Sequence, residues 1–163
     1  MIKISFTNIS GKARPAGWDF EKWLKKTINL LKGLKKIPEQ GILELCFVDP
    51  AQIKALNTDY RKIARETDVL SFSFIEGENY PDEDLVGQIF LCPQIAQKQA
   101  KEHDVSYREE CEFLLVHAYL HVFGYDHEKP ADFNKMFNQQ LKLFPQAKWR
   151  DYVQLIFLES FPR

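Results

Sequence analysis

The chain predicts an α+β fold, in which a mixed sheet of roughly four strands packs with about five helices and one helix runs buried through the centre. Three observations carry this. Four short stretches, residues 2–7, 42–48, 67–74 and 85–92, read as strands. Longer stretches with apolar residues at helical spacing lie between and after them. Residues 111–123 are apolar on nearly every side of a helix, a pattern that belongs to one enclosed by the rest of the fold.

Residues 2–7 alternate apolar and polar side chains, as a half-buried strand does. Trp18 to Lys36 then sets Phe20, Trp23, Leu24, Ile28, Leu31 and Leu34 at helical spacing, with lysines elsewhere on the turn, which predicts an amphipathic helix with a lysine-rich side. The second strand, Ile42 to Val48, is closed by Asp49-Pro50, where Asp can cap and Pro can take the first position of a helix running to about Tyr60. In the third strand Leu70, Phe72 and Phe74 share one face, while Val69, Ser71 and Ser73 make the other face small and polar. An acidic, turn-rich loop from Glu76 to Asp84 leads to the fourth strand. Pro93 to about His103 reads as a helix, and Ser106-Tyr107-Arg108-Glu109 is a capping box that opens the central one. Gly124 ends it, Ala131 to Phe144 reads as a further helix, and Trp149 to Phe161 is apolar enough to pack down.

The 163 residues are one domain's worth, so a single domain over 1–163 is expected, with a core large enough to fold without a disulfide or metal staple. The opening residues lack a signal-peptide core, no apolar run approaches the ~20 residues that cross a bilayer, and the three cysteines are odd in number and widely spaced. A cytoplasmic protein with no membrane partner and with cysteines acting as small core hydrophobes is expected. The net charge of −1 conceals an asymmetry: residues 1–40 carry nine Lys/Arg against three Asp/Glu, and the remainder thirteen against twenty. A polyanion such as RNA would therefore meet a basic N-terminal region in which Lys22, Lys25 and Lys26 are candidate contacts, although a lysine stripe is more often only a solvated face.

His117-Ala118-Tyr119-Leu120-His121 places two imidazoles one turn apart on a single helix face. Gly124 lets the chain leave the helix, and His127 can fold back toward the same point. A lone histidine on an apolar helix is more often a satisfied core residue than a ligand. Three of the chain's four histidines within eleven residues, in the H-x-x-x-H-x-x-G-x-x-H spacing of the metzincin proteases, point instead to zinc with an open fourth position. Those proteases place a Glu base directly after the first histidine, where this chain has Ala118, so the peptidase reading lacks its base and phosphodiester cleavage becomes the better one. Arg61 and Arg65, in a segment read as a loop feeding the third strand, could neutralise phosphate charge or simply pair with Glu66 or Asp68. Asp126 could orient an imidazole or cap the following helix. His103, in a polar stretch, reads as exposed.

The blocks Leu56-Asn57 through Tyr60-Arg61 to Thr67-Asp68-Val69-Leu70-Ser71-Phe72, and His117 through Leu120-His121 to Gly124-Tyr125-Asp126-His127, resemble the YbeY-type endoribonucleases, bacterial rRNA maturation factors of zincin-like fold. The resemblance covers essentially the whole chain. It implies one zinc ion on His117, His121 and His127, a catalytic or RNA-positioning role for Arg61, single-strand-specific RNA cleavage, maturation of the 16S rRNA 3′ end and ribosome quality control. The expected partners are single-stranded RNA, rRNA and the small ribosomal subunit with its assembly factors, and no DNA. The chain departs from the family's common pattern at Ala118, Val122, Ser73 and Gln88, the last replacing an Asp. Gln88 and the missing base motivate an alternative, a ribosome-assembly binding protein with a structural or vestigial zinc site.

Overall fold

The computed structural model describes residues 2–8, 19–30, 38, 40–75 and 84–161. Its elements run β1 (Ile2–Asn8), α1 (Phe20–Leu30), β2 (Gly41–Phe47), α2 (Pro50–Arg61), β3 (Val69–Ser73), β4 (Leu85–Leu91), α3 (Pro93–Glu102), α4 (Tyr107–Val122), α5 (Pro130–Leu143) and α6 (Ala147–Ser160). The sheet is small and mixed, in the order β1-β2-β4-β3, with β1, β2 and β4 parallel and β3 antiparallel to β4 at the edge. Six helices are present among the described residues, one more than expected, because the apolar C-terminal segment is itself the helix α6. Of the lysine-rich helix, residues 31–36 lie outside the described residues, as do residues 76–83 of the acidic loop. No described helix is long and apolar enough to cross a membrane.

Local chemistry sets the boundaries. Asp49 and Gln52 exchange side-chain and backbone hydrogen bonds of 2.8 and 2.9 Å at the start of α2, with Pro50 in its first turn, and Ser106 and Glu109 do the same for α4. The third strand starts at Val69 rather than Thr67, and at its start the Asp68 carboxylate takes the Val69 N–H at 2.7 Å while the Asp68 carbonyl accepts from the Cys92 N–H at 2.8 Å. Arg61 belongs to the last turn of α2 rather than to a loop, and the chain turns at Lys62, which adopts the left-handed conformation.

Each sheet face has its own core. Leu43, Leu45, Phe47, Val69, Ile89 and Leu91 join the cluster built around α4, with α5 and α6 adding Phe133, Phe137 and Trp149. Cys46, Leu70, Phe90 and Cys92 face the other way, onto Ile53 and Leu56 of α2. All three cysteines are free and buried, and burial pushes the Cys46 thiol up to about 11 and that of Cys111 to about 12. They pack as small hydrophobes with inert thiols, as the sequence suggests.

The helix α4 lies close on β3 and β4. Ser73 Oγ donates to the Val122 carbonyl at 2.7 Å, tying the edge strand to the end of the helix. At Gly87 in β4, an added Cβ would meet Val122 Cγ1 at 2.5 Å and the Phe72 carbonyl oxygen at 2.9 Å. Gly87→Ala should therefore destabilise the fold by about 1–3 kcal/mol, the usual cost of overpacking. A lowered urea midpoint that is partly restored by adding Val122→Ala would confirm that the helix, rather than the strand alone, absorbs the clash.

Candidate metal centre and its cavity

Between Phe113 and Val122 every residue of α4 is buried except His117 and His121, so the two imidazoles occupy the one open stripe of this enclosed stretch. Gly124 then takes φ of 82°, its N–H donates to the His121 carbonyl at 3.0 Å, and the chain reverses over the helix end. This returns His127 to the pair, with ring centroids 5.3 Å from His117 and 4.8 Å from His121. The ligating atoms of all three lie within 4.8 Å of one another, the one such group of His, Cys, Asp or Glu among the described residues.

Hydrogen-bond partners decide the tautomers. His121 Nδ1 lies 3.0 Å from the Tyr125 carbonyl oxygen, which can only accept, so the ring donates from Nδ1. His117 Nδ1 lies 3.4 Å from Gln140 Oε1, and Gln140 is held in that orientation because its Nε2 donates to the Phe113 carbonyl at 2.9 Å. Both rings therefore expose an Nε2 lone pair, and these two lone pairs face each other across 3.2 Å with no proton between them. A cation bound between them relieves that contact. A tetrahedral ion bonded at ~2.0–2.1 Å to two nitrogens holds them ~3.3 Å apart, so the donor set fits a divalent metal.

Burial reinforces the neutral state. It drives His117 well below the ordinary histidine range, with the neighbouring His121 and His127 adding to the shift, and it lowers His121 to about 4. The positive charge of Arg61 pushes both rings in the same direction, which places that guanidinium in electrostatic reach of the centre.

The three rings line a cavity of about 670 Å³ together with Arg61, Asp68, Ser71, Ala118, Phe137, Tyr152 and Ile156. Asp68 is no ion-pair partner of Arg61 among the described residues. Its carboxylate accepts from Thr67 Oγ1 at 3.0 Å, the Val69 N–H and Gln99 Nε2 at 3.0 Å. Arg65 is exposed, its carbonyl held by Asn57 Nδ2, and does not line the cavity, nor do the exposed Lys22, Lys25 and Lys26 of α1. Asp126 neither reaches an imidazole nitrogen nor caps α5. Its carboxylate accepts the backbone N–H of His127 at 2.7 Å and so fixes the returning turn, while Lys129 takes the cap position.

His103 is not exposed: its Nδ1 lies 2.7 Å from the buried Glu110 carboxylate and its ring packs on Tyr152 at 4.1 Å. Gln88 bonds to Glu44 across the strands, opposite Phe72, on the sheet face that α2 covers and away from the histidines. Sequence reasoning missed Gln140. Its signal was there, as the polar member of the buried positions Phe133, Met136, Phe137 and Gln140 along one face of α5.

The family model described as Endoribonuclease YbeY matches residues 6–148. Endoribonuclease YbeY of Staphylococcus carnosus (strain TM300) is 35% identical over 149 residues, covering 86% of this chain and 92% of that protein. The protein of the same name from Staphylococcus aureus (strain bovine RF122 / ET3-1) is 35% identical over 151 residues with the same coverage. Among solved structures, the solution structure of TM1509 from Thermotoga maritima is similar, with a TM-score of 0.51, 27% identity and coverage of 99% of this chain and 98% of that one.

A titration of the metal-free protein tests the electrostatics. His121 should protonate with a midpoint near 4, read from its ring signals by NMR, instead of near 6.5. Because the unfolded chain binds that proton first, this ring's contribution to stability is complete above about pH 6.5 and is lost as pH falls toward 4. A midpoint left near 6.5 would mean that the ring is solvated.

Proposed function

Because the chain belongs to the Endoribonuclease YbeY family, we propose that it is a metal-dependent endoribonuclease of single-stranded RNA, with zinc held by His117, His121 and His127. Its setting is maturation of the 16S rRNA 3′ end and ribosome quality control in the cytoplasm, in contact with the small subunit and its assembly factors. The domain is a single zincin-like unit over 1–163. The observation that carries this reading is the pair of Nε2 lone pairs meeting at 3.2 Å beside Arg61 and His127.

A divalent ion held there supplies Lewis acidity toward a phosphodiester oxygen and a nucleophile at neutral pH. Gln140 and the Tyr125 carbonyl keep the His117 and His121 protons on Nδ1, so that Nε2 stays available as a ligand. Arg61, fixed in the last turn of α2, binds phosphate oxygens and balances charge as it develops. Ala118 puts a methyl group where a peptidase of this spacing has its base. Gln88 gives the assembly-protein alternative no support, since it lies on the opposite sheet face from the histidines, and that alternative is left with the missing base alone.

The decisive assay compares single-stranded and duplex RNA. Wild-type protein should cut the former, His117→Ala should abolish turnover, and Arg61→Ala should lower kcat by about 10²–10³-fold with the fold intact by circular dichroism. Undiminished cleavage after exhaustive chelation would overturn the reading. Gln140→Leu probes the support of the centre separately: it should weaken zinc binding by about 10–100-fold in a chelator competition, and cost about 1–3 kcal/mol by leaving the buried His117 Nδ1–H without an acceptor. Unaltered zinc affinity would show that His117 needs no partner at Nδ1.

A further inference from the structure

Tyr60 is the most exposed of the large hydrophobic side chains among the described residues, at 67%. It is nonetheless held. Its ring lies against Phe72, with centroids 4.9 Å apart and planes tilted by 58°, and Phe72 in turn meets Phe90 edge-on in the core beneath α2. One side of the ring is thus fixed to the protein while the other meets solvent.

The chain around it is fixed as well. Lys62 adopts φ of 61°, a conformation that residues with a Cβ enter only at a cost. The turn is kept there by Lys62 N–H to the Thr58 carbonyl at 3.1 Å, Ile63 N–H to the Asn57 carbonyl at 3.2 Å, and Asn57 Nδ2 to the Arg65 carbonyl at 2.9 Å. The result is a rigid ledge that presents Tyr60 and the 41% exposed Ile63 beside the cations of Arg61, Lys62 and Arg65. Arg61, the next residue after Tyr60, is the one that borders the histidine cavity.

An exposed aromatic ring joined to cations, one residue before the arginine that borders a cavity suited to a phosphodiester, has the chemistry of a single-strand platform, where bases stack on rings and phosphates pair with guanidinium groups. We propose that Tyr60 is a substrate-positioning residue on which an unpaired nucleobase of the bound strand stacks outside the histidine cavity, while Arg61 takes the phosphate. The inference rests on the endoribonuclease reading and extends it: bases inside a duplex are covered by their neighbours and cannot reach the ring, so the ledge favours single strands before any chemistry occurs. Its ring contact with Phe72 is what the fold gains from Tyr60, and most of its surface is already in water.

The test is steady-state cleavage of a single-stranded RNA dodecamer by wild type, Tyr60→Ala and Tyr60→Phe, together with anisotropy binding of a labelled dodecamer to the cleavage-deficient His117→Ala protein with and without Tyr60→Ala. Loss of one stacked base by alanine substitution corresponds to about 5–150-fold. Tyr60→Ala should raise KM and weaken binding within that range, with kcat and the urea midpoint little changed, and Tyr60→Phe should restore both. Placing an abasic nucleotide at successive positions locates the base: at one position the abasic loss and the Tyr60→Ala loss should fail to add. Wild type that cleaves normally alongside an unchanged KM for Tyr60→Ala would overturn this inference and leave the nuclease reading standing. A loss that adds at every abasic position would also overturn it, assigning Tyr60 to the backbone or to a protein partner. Wild type that neither binds nor cuts the RNA would remove both.

Discussion

From Phe113 to Val122 the helix α4 buries every side but one, and it sits close on the sheet because small residues of β3 and β4 stand among the larger Ile89 and Leu91 beneath it. Val69, Ser71 and Ser73 on β3 and Gly87 on β4 leave so little bulk that the helix comes within the reach of a side-chain hydroxyl, the Ser73 to Val122 contact. On the far side Trp149 stacks on Phe113, with centroids 4.1 Å apart and planes 6° from parallel, one turn before His117. The remaining stripe can only open where His117 and His121 stand. Position of the centre is thus a packing outcome before it is a chemical one: closing the sheet contact or loosening the aromatic stack moves the imidazoles with the helix.

Packing alone would leave two neutral imidazoles anywhere along their rotamers. Direction comes from acceptors that cannot donate, the Tyr125 carbonyl and the Gln140 side-chain oxygen, each of which forces a proton onto Nδ1. Two lone pairs are then pressed together in a buried setting where neither ring can escape by protonation, since burial has pushed both well below the ordinary histidine range. Folding therefore maintains an electrostatic conflict that a cation resolves, which is how a fold commits stability to a site.

Much of this was legible in the chain. The histidine spacing, the Gly124 turn, both capping boxes and the small face of β3 all follow from local periodicity and local hydrogen bonding, which sequence patterns encode directly. What escaped was decided by contacts distant in sequence. Gln140 meets His117 across 23 positions, and His103 is drawn inward by Glu110 and the rings of α6, which no local stretch reveals. Arg61 was misplaced by a single residue because α2 runs on to it, the break coming at Lys62, a residue with no composition signal for a left-handed turn. The Asp126 reading failed for a related reason: short carboxylates bond to the nearest backbone N–H, and the nearest here belongs to His127.

The arrangement of negative charge explains why Ala118 matters. Of the carboxylates bordering the cavity, Asp68 has its oxygens committed to Thr67, Val69 and Gln99, while Asp126 and Glu128 sit in the exposed turn that returns His127. The inner wall is left with neutral imidazoles, a methyl group at 118 and the Arg61 guanidinium at its edge. A glutamate at 118 would place a fixed anion against that wall, useful for deprotonating water in front of a neutral amide and repulsive toward a phosphodiester that already carries a charge. Removing it costs a base and gains an anion-tolerant floor. The substitution and Arg61 thus act together: one takes away a negative charge from the place where the substrate brings its own, and the other supplies a positive one that does not titrate.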